Sequence, residues 1–351
     1  AGASIATITG YDSIPDNAKT AVDASKQDAT AEQNMVNAID ALFKKYSGLI
    51  PLKGVAKVDA NGLAVQNTLI RPEGNTNLQI VIPEGWAPAI LEGSNSTTSL
   101  PGEDGKVKSI MPAGEWENIT AEQINKGIVI VDNAITYTDT VPNFNEFVWV
   151  PITDSSKFAR TAWITKYTYD GEGNWIDGTN TTIGHPLGTI TDNTNNWWED
   201  TTTTEYINMV SSVNKYKGFY IGRYEASVNG TIAQSKRGQT AKVSISQTDA
   251  ISACTSNTSA SNMHLMYGIE WDSTLNWLNN NATISSISAG TTKTMELSDL
   301  QTNSNTWGNY NNTTGDAAST PYVKNTVQNT GASEYWKANN IYDLAGNVWE
   351  W

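Results

Sequence analysis

Cysteine is almost absent: Cys254 is alone in a chain of 351 residues. A single thiol excludes an internal disulfide framework. Histidine is nearly as scarce. His185 precedes Pro186 in a loop-like stretch and His264 precedes a helical pattern, and neither has an evident Asp/Ser or Cys partner nearby. A zinc site or a nucleophilic triad is therefore not expected. Basic residues are few, with 22 Lys and Arg against 36 Asp and Glu and a formal net charge of −14. With no basic stripe to neutralise phosphates, a nucleic-acid partner is excluded. Long apolar runs are missing too, so the chain as given contains no eighteen-residue membrane span. The 27 glycines are scattered as turn residues and form no phosphate-cradling loop.

What is plentiful is aromatic side chains with a polar handle: 13 Trp and 14 Tyr against 5 Phe. Such residues suit half-buried recognition surfaces, and they equally suit a loop-rich fold whose loops must be pinned. The remaining polarity comes from Asn, Thr and Ser rather than from charge. The chain is long enough for two or three domains.

Three regions differ in pattern. In residues 1–47, Pro15-Asp16 opens a helix. Apolar residues then recur at Ala18, Val22, Ala29, Val36, Ile39 and Phe43, and Lys44 and Lys45 lie at the negative end. Residues 48–145 read as short strands at 52–58, 63–70 and 78–82, separated by Asp59-Ala60-Asn61-Gly62 and Glu73-Gly74-Asn75. A polar loop follows at 94–105. Thr120 and Gln123 have capping-box spacing for a short helix, and 127–132 reads as a buried strand. The loop around Trp116 fits packing or binding. Residues 146–351 carry an apolar strand at 147–152, a second at 216–225, and helices from 248 and over 265–278. They also hold a long Asn/Thr/Trp-rich insertion, 167–204, with Trp175, Trp197 and Trp198. A loop of that length is usually functional or mobile. The expected fold class is α+β: a helical stalk, a β-rich middle domain and a mixed carboxyl domain.

The most informative stretch is Asn339-Asn340-Ile341-Tyr342-Asp343-Leu344-Ala345-Gly346-Asn347-Val348-Trp349-Glu350-Trp351. Gly346-Asn347 is a turn pair. Asp343 and Glu350 supply hard oxygens on either side, and the carbonyls of Gly346 and Val348 complete an oxygen cage suited to Ca²⁺. The bland alternative is a turn locked under two tryptophans.

This string resembles the formylglycine-generating enzyme (sulfatase-modifying factor) family, whose fold is a variant of the C-type lectin. The strand 147–152, the run Phe219-Tyr220-Ile221-Gly222-Arg223-Tyr224-Glu225, the pair Glu270-Trp271 and Trp307-Gly308-Asn309-Tyr310 extend the likeness across residues 146–351. The resemblance implies calcium ligands at Asp343, Gly346, Val348 and Glu350. It also implies a missing chemistry. The family's paired cysteines follow the Trp-Glu-Trp string, and Cys254 lies far upstream in a Ser/Thr/Ala stretch. The family's closing strands are missing as well, so the expectation is that the natural chain continues or that another chain covers the exposed sheet edge.

The opening string, Ala1 to Gly10, is similar to the amino-terminal segment of Gram-positive type IV pilin-like proteins. That likeness implies a processed or truncated start, with membrane attachment only through an upstream hydrophobic helix. It places Ile5, Ile8, Val22, Val36, Ile39 and Phe43 in filament packing. Together the two likenesses imply a non-enzymatic protein on the surface of a bacterium, with like subunits as filament partners. A surface glycan or protein would bind at Trp175, Trp197, Trp198, Trp307 and Tyr310. The alternatives are a sulfatase-modifying type of enzyme cut before its cysteines, and a purely structural filament subunit.

Overall fold

The computed structural model describes residues 50–75, 77–92, 105–138, 141–159, 161–162, 167–169, 175–177, 185–186, 202–257, 263–286, 291–295 and 327–348. The expected stalk helix with Ile5, Ile8, Val22, Val36, Ile39 and Phe43 lies outside the described residues, as do Trp197, Trp198, Trp307, Tyr310 and Glu350.

The strands that matter here are β1 (Thr68–Ile70), β2 (Ile80–Ile82), β3 (Ala87–Leu91), β4 (Val107–Ile110), β5 (Val129–Val131), β6 (Glu146–Pro151), β7 (Gly218–Gly222), β8 (Ser227–Asn229), β9 (Ile232–Gln234), β10 (Thr283–Ser286), β11 (Thr291–Thr294), β12 (Lys337–Ala338) and β13 (Ile341–Tyr342). The helices that matter here are α1 (Ala121–Asn125), α2 (Thr204–Tyr216), α3 (Gln247–Thr255) and α4 (Gly268–Asn281). This mixture of helices and several small sheets is compatible with the α+β class.

The central sheet has five strands in the order β7-β6-β5-β3-β4, with every pairing antiparallel. It draws β3, β4 and β5 from the expected middle region and β6 and β7 from the expected carboxyl region. The boundary set between 145 and 146 therefore does not separate two cores. Val129 and Val131 belong to the same buried cluster as Val148 and Val150, and residues 51–351 form one unit. A local pattern shows that a strand is buried, but not which strand lies beside it.

The period of two along β6 explains how one sheet feeds two cores. Val148 and Val150 point to one face, where Met209 and Val213 of α2 and Trp277 and Leu278 of α4 cover them. Phe147 and Trp149 point to the other, where Ile80 and Ile82 of β2, Ile124 of α1 and Trp116 of the short 3-10 helix Ala113–Asn118 pack. Polar handles pin that second layer. The Nε1 of Trp149 donates to the Gln79 carbonyl at 2.9 Å, and the Tyr220 hydroxyl donates to the Val81 carbonyl at 2.8 Å. Trp116 is wholly buried and donates to the Met111 carbonyl at 2.9 Å, which settles its loop as packing.

Local signals act as the sequence directs. Thr120 and Gln123 form the expected capping box, with Gln123 N donating to Thr120 Oγ1 and Thr120 N to Gln123 Oε1. At the end of α2, Lys217 adopts a left-handed φ of 61°, and the chain turns directly into β7. Gly218 follows because nothing larger fits. A Cβ there would strike the Trp149 ring and lie 2.6 Å from the Val150 carbonyl oxygen. Overpacking against a fixed backbone oxygen has no cheap relief, so Gly218→Ala is expected to lose about 1–3 kcal/mol or more in urea unfolding. Gly114→Ala, whose nearest neighbour would be Val55 at 3.9 Å, is expected to stay within about 0.5 kcal/mol.

Candidate functional site

The end of β7 carries a charge into the interior. Arg223 is 0% exposed and Glu146, at the start of β6, is 1% exposed. They stand side by side because the ladder continues one step past Gly222 and Phe147, with Arg223 N donating to the Glu146 carbonyl at 3.0 Å. Arg223 Nη1 then donates to Glu146 Oε2 at 2.6 Å. Its other nitrogens reach two distant segments: Nη2 donates to the Gly105 carbonyl at 2.9 Å and Nε to the Asn340 carbonyl at 3.0 Å. One guanidinium thus joins the central sheet, the segment entering β4 and the β12–β13 turn. Burial pushes the Glu146 carboxyl pKa up, while the charge and hydrogen bond of Arg223 pull it back. Guanidinium does not give up its proton, so a neutral Glu146 would leave a buried cation without a counter-charge. The pair is therefore ionised at neutral pH. Breaking it by removing one partner costs about 3–5 kcal/mol.

The next residue, Tyr224, stacks on Tyr342 of β13, with ring centroids 5.1 Å apart and 26° between planes. The Arg223 guanidinium lies 5.1 Å from the Tyr342 ring centre. The Tyr342 hydroxyl donates to Glu334, whose carboxylate also pairs with Arg237 at 3.2 Å and Lys337 at 2.8 Å. Burial alone would raise the Glu334 pKa. The charges of Lys337 and Arg237, with hydrogen bonds from Lys337 and Tyr342, outweigh it and hold the group at about 2.

The third residue of the run, Glu225, holds the turn after β13. Its carboxylate accepts from Val348 N at 3.1 Å and from the Asn347 side-chain amide. The Asn347 side chain also accepts from Gln328 N at 2.9 Å. Gly346 and Asn347 take φ of 87° and 61°, as a turn pair should. Arg223, Tyr224 and Glu225 thus each grip the closing string, and Tyr342 N donates to the Arg223 carbonyl at 2.9 Å.

Asp343 is buried completely. Its Oδ2 accepts from Gly331 N at 2.7 Å, while Oδ1 is buried without a hydrogen-bond partner. Gly331 must be glycine on two counts: its φ is 64°, and a Cβ would lie 2.5 Å from the Tyr224 ring. Burial raises the Asp343 pKa to about 7, against the Gly331 hydrogen bond and the nearby Arg237 charge. An orphaned hard oxygen fits one position of a Ca²⁺ shell. Among the described residues no group of three or more His, Cys, Asp or Glu stands together to hold a metal. Further oxygens would therefore come from carbonyls such as those of Gly346 and Val348. Trp175, the one expected ligand-binding aromatic within the described residues, sits on a strand at Trp175–Asp177 paired with Tyr167–Tyr169.

Among the described residues, His264 and Cys254 lie apart from this network. His264 Nε2 lies 2.8 Å from Glu270 Oε2, and Glu270 also accepts from Tyr267 N at the start of α4. Cys254 is buried in α3, and burial pushes its thiol pKa up, away from the nucleophilic thiolate. The residues that sequence reasoning missed are Glu146, Arg223, Glu334 and Gly331. Arg223 did leave a signal, a lone cation ending a buried apolar strand.

Comparison with known protein families, with curated proteins and with solved structures finds no match.

Asp343 has a clear pH signature. Its folded pKa of about 7 lies above the ordinary 3.8. The folded state therefore holds the extra proton between those values, and stability falls as pH rises from about 4 to 7. With a chelator present, Asp343→Asn is expected to abolish that decline, which is on the order of 4 kcal/mol at most. Urea unfolding across this pH range measures it, and an unchanged slope in the variant would refute the assignment.

Proposed function

We propose that this chain is a non-catalytic surface display protein: a type IV pilin-like filament subunit carrying a lectin-like domain of the formylglycine-generating type that binds a glycan or protein. The observation that carries the reading is the grip of Arg223-Tyr224-Glu225 on the string from Tyr342 to Val348. These are two of the stretches on which the family resemblance rests, 117 or more residues apart in the chain, and they meet through backbone and side-chain bonds. The engagement of His264 with Glu270 and the burial of Cys254 favour holding over transforming. The aromatic, Asn/Thr-rich loops that would contact the ligand are the insertion bearing Trp175, Trp197 and Trp198 and the stretch bearing Trp307 and Tyr310. In this reading Ca²⁺ is held by Asp343, Gly346, Val348 and Glu350. It would satisfy the buried Asp343 oxygen and fix the turn.

Retention on a combined glycan and extracellular-protein array tests the reading. The purified chain is expected to hold a narrow set of ligands and to leave the cysteine of a sulfatase-derived peptide at unchanged mass. Adding a chelator is expected to lower the melting temperature, because a bound ion stabilises the folded state by mass action. Oxidation of the peptide cysteine would overturn the non-catalytic reading. An empty array would overturn the display reading, and an unmoved melting temperature would remove the calcium.

A further inference from the structure

Asn-Gly occurs twice in the sequence, at Asn61-Gly62 and Asn229-Gly230. Such a pair carries a chemistry of its own. The glycine backbone nitrogen can attack the side-chain amide carbon of the asparagine, because no Cβ crowds the approach. The new C–N bond closes a succinimide ring, and the side-chain nitrogen leaves as ammonia with the proton of the attacking N–H. Water then opens the ring at either carbonyl, giving aspartate or isoaspartate. Nothing but the chain and water is consumed. The rate depends on how freely the glycine nitrogen swings over the side chain, which takes rotation about the asparagine Cα–C bond.

Both asparagines are exposed, so exposure does not separate them. Their turns do. Asn61 stands in a turn laced to Asp59. Gly62 N donates to the Asp59 carbonyl at 3.1 Å, and Asn61 N and Leu63 N donate to Asp59 Oδ1 at 2.8 Å and 2.9 Å. Leu63 is buried, and a Cβ at Gly62 would lie 3.2 Å from Ile110. Swinging Gly62 N over the Asn61 side chain breaks that nitrogen's hydrogen bond and moves a packed turn.

Asn229 ends β8, and Gly230-Thr231 lead directly into β9. Gly230 has a φ of 63° and Thr231 has no positive φ, the pattern of a type II′ hairpin with glycine at its first central position. A Cβ at Gly230 would meet nothing within 4 Å. Among the described residues, neither Gly230 N nor the Asn229 side chain has a hydrogen-bond partner, and β8 and β9 pair with no third strand. A two-stranded ribbon is weakly held. Rotation about the Asn229 Cα–C bond breaks only the terminal pair of Asn229 with Ile232, whose side chain is itself exposed. Ends of this kind open at little cost in free energy.

We infer that Asn229 is a self-modifying position, which converts to aspartate and isoaspartate through attack by Gly230 N, while the turn at Asn61 spares the other pair. Each conversion adds a negative charge to the hairpin tip. The isoaspartate product also inserts a methylene into the backbone of a strand three residues long.

The test is peptide mapping of the full chain during incubation in a mildly alkaline buffer, folded and in unfolding urea. Isoaspartate is read by enzymatic methylation and aspartate by mass. In the folded chain, conversion at Asn229 is expected to run about tenfold or more faster than at Asn61. In urea the two rates are expected to agree within about threefold, since only the neighbouring glycine then matters. Asp59→Ala removes both side-chain holds on the first turn. It is expected to raise conversion at Asn61 about tenfold and to leave Asn229 unchanged. Equal rates in the folded chain overturn the inference, as does an Asn229 that stays intact while the unfolded chain converts. A tenfold difference that persists in urea assigns the effect to local sequence and overturns it too. An unmoved Asn61 rate in the Asp59→Ala variant overturns the protection given to that turn.

Discussion

The ion pair between Arg223 and Glu146 is the constraint to which the rest of the described structure answers. A guanidinium at zero exposure is tolerable only if its charge and its donors all find partners. Here the partners come from four places in the chain: a carboxylate at the start of β6, the carbonyl of Gly105, the carbonyl of Asn340 and the face of Tyr342. Each element that supplies one is held in position by the penalty of leaving the cation bare. The pair adds little net stability over a well-packed apolar substitute, but it adds a strong preference for one arrangement of the β12–β13 turn against the sheet.

Around that pair the aromatic residues divide into two groups. Trp116, Trp149 and Tyr220 are pins: each buries its ring and gives its single polar hydrogen to a backbone carbonyl of a neighbouring segment. Tyr224 and Tyr342 are stacked plates that offer electron-rich faces to cations, both rings to Arg223 and the Tyr342 ring also to Arg237. The abundance of Trp and Tyr over Phe therefore has a structural use in the core, before any recognition surface is considered. The hydroxyl of Tyr342 completes this by joining the stack to the Glu334 cluster.

Much of the local architecture was legible in the residues. The capping box at Thr120, the apolar run of β6 and the helix carrying Glu270-Trp271 lie close to where their patterns indicate, and the strand expected over 216–225 is confined to Gly218–Gly222 because α2 runs up to Tyr216. Long-range matters were not legible. Glu146 and Arg223 are 77 residues apart, and Gly105 and Arg223 are 118 apart, so no window contains both members of either contact. Gly105 ends what reads as a polar loop, yet its carbonyl meets a buried cation. Asp343 reads as a hard oxygen donor beside a Gly-Asn turn, and nothing in its neighbourhood announces that the chain buries it against Gly331. That the central sheet draws strands from both sides of the 145–146 division was hidden for the same reason. Strand periodicity reveals a buried face and is silent about the neighbouring strand.

The distances in sequence that hid Arg223 from view also govern when the network can form. Its contacts close loops of 77 to 118 residues, and loop closure must be completed before the contacts repay it. During synthesis, β6 and β7 can pair long before Asn340 and Tyr342 leave the ribosome. At about 5–20 residues per second, that interval lasts several seconds or more. Throughout it the cation has Glu146 but not its roof. The nascent chain must therefore keep the end of β7 wet until the β12–β13 turn arrives, so closure over Arg223 is a late and cooperative event in folding.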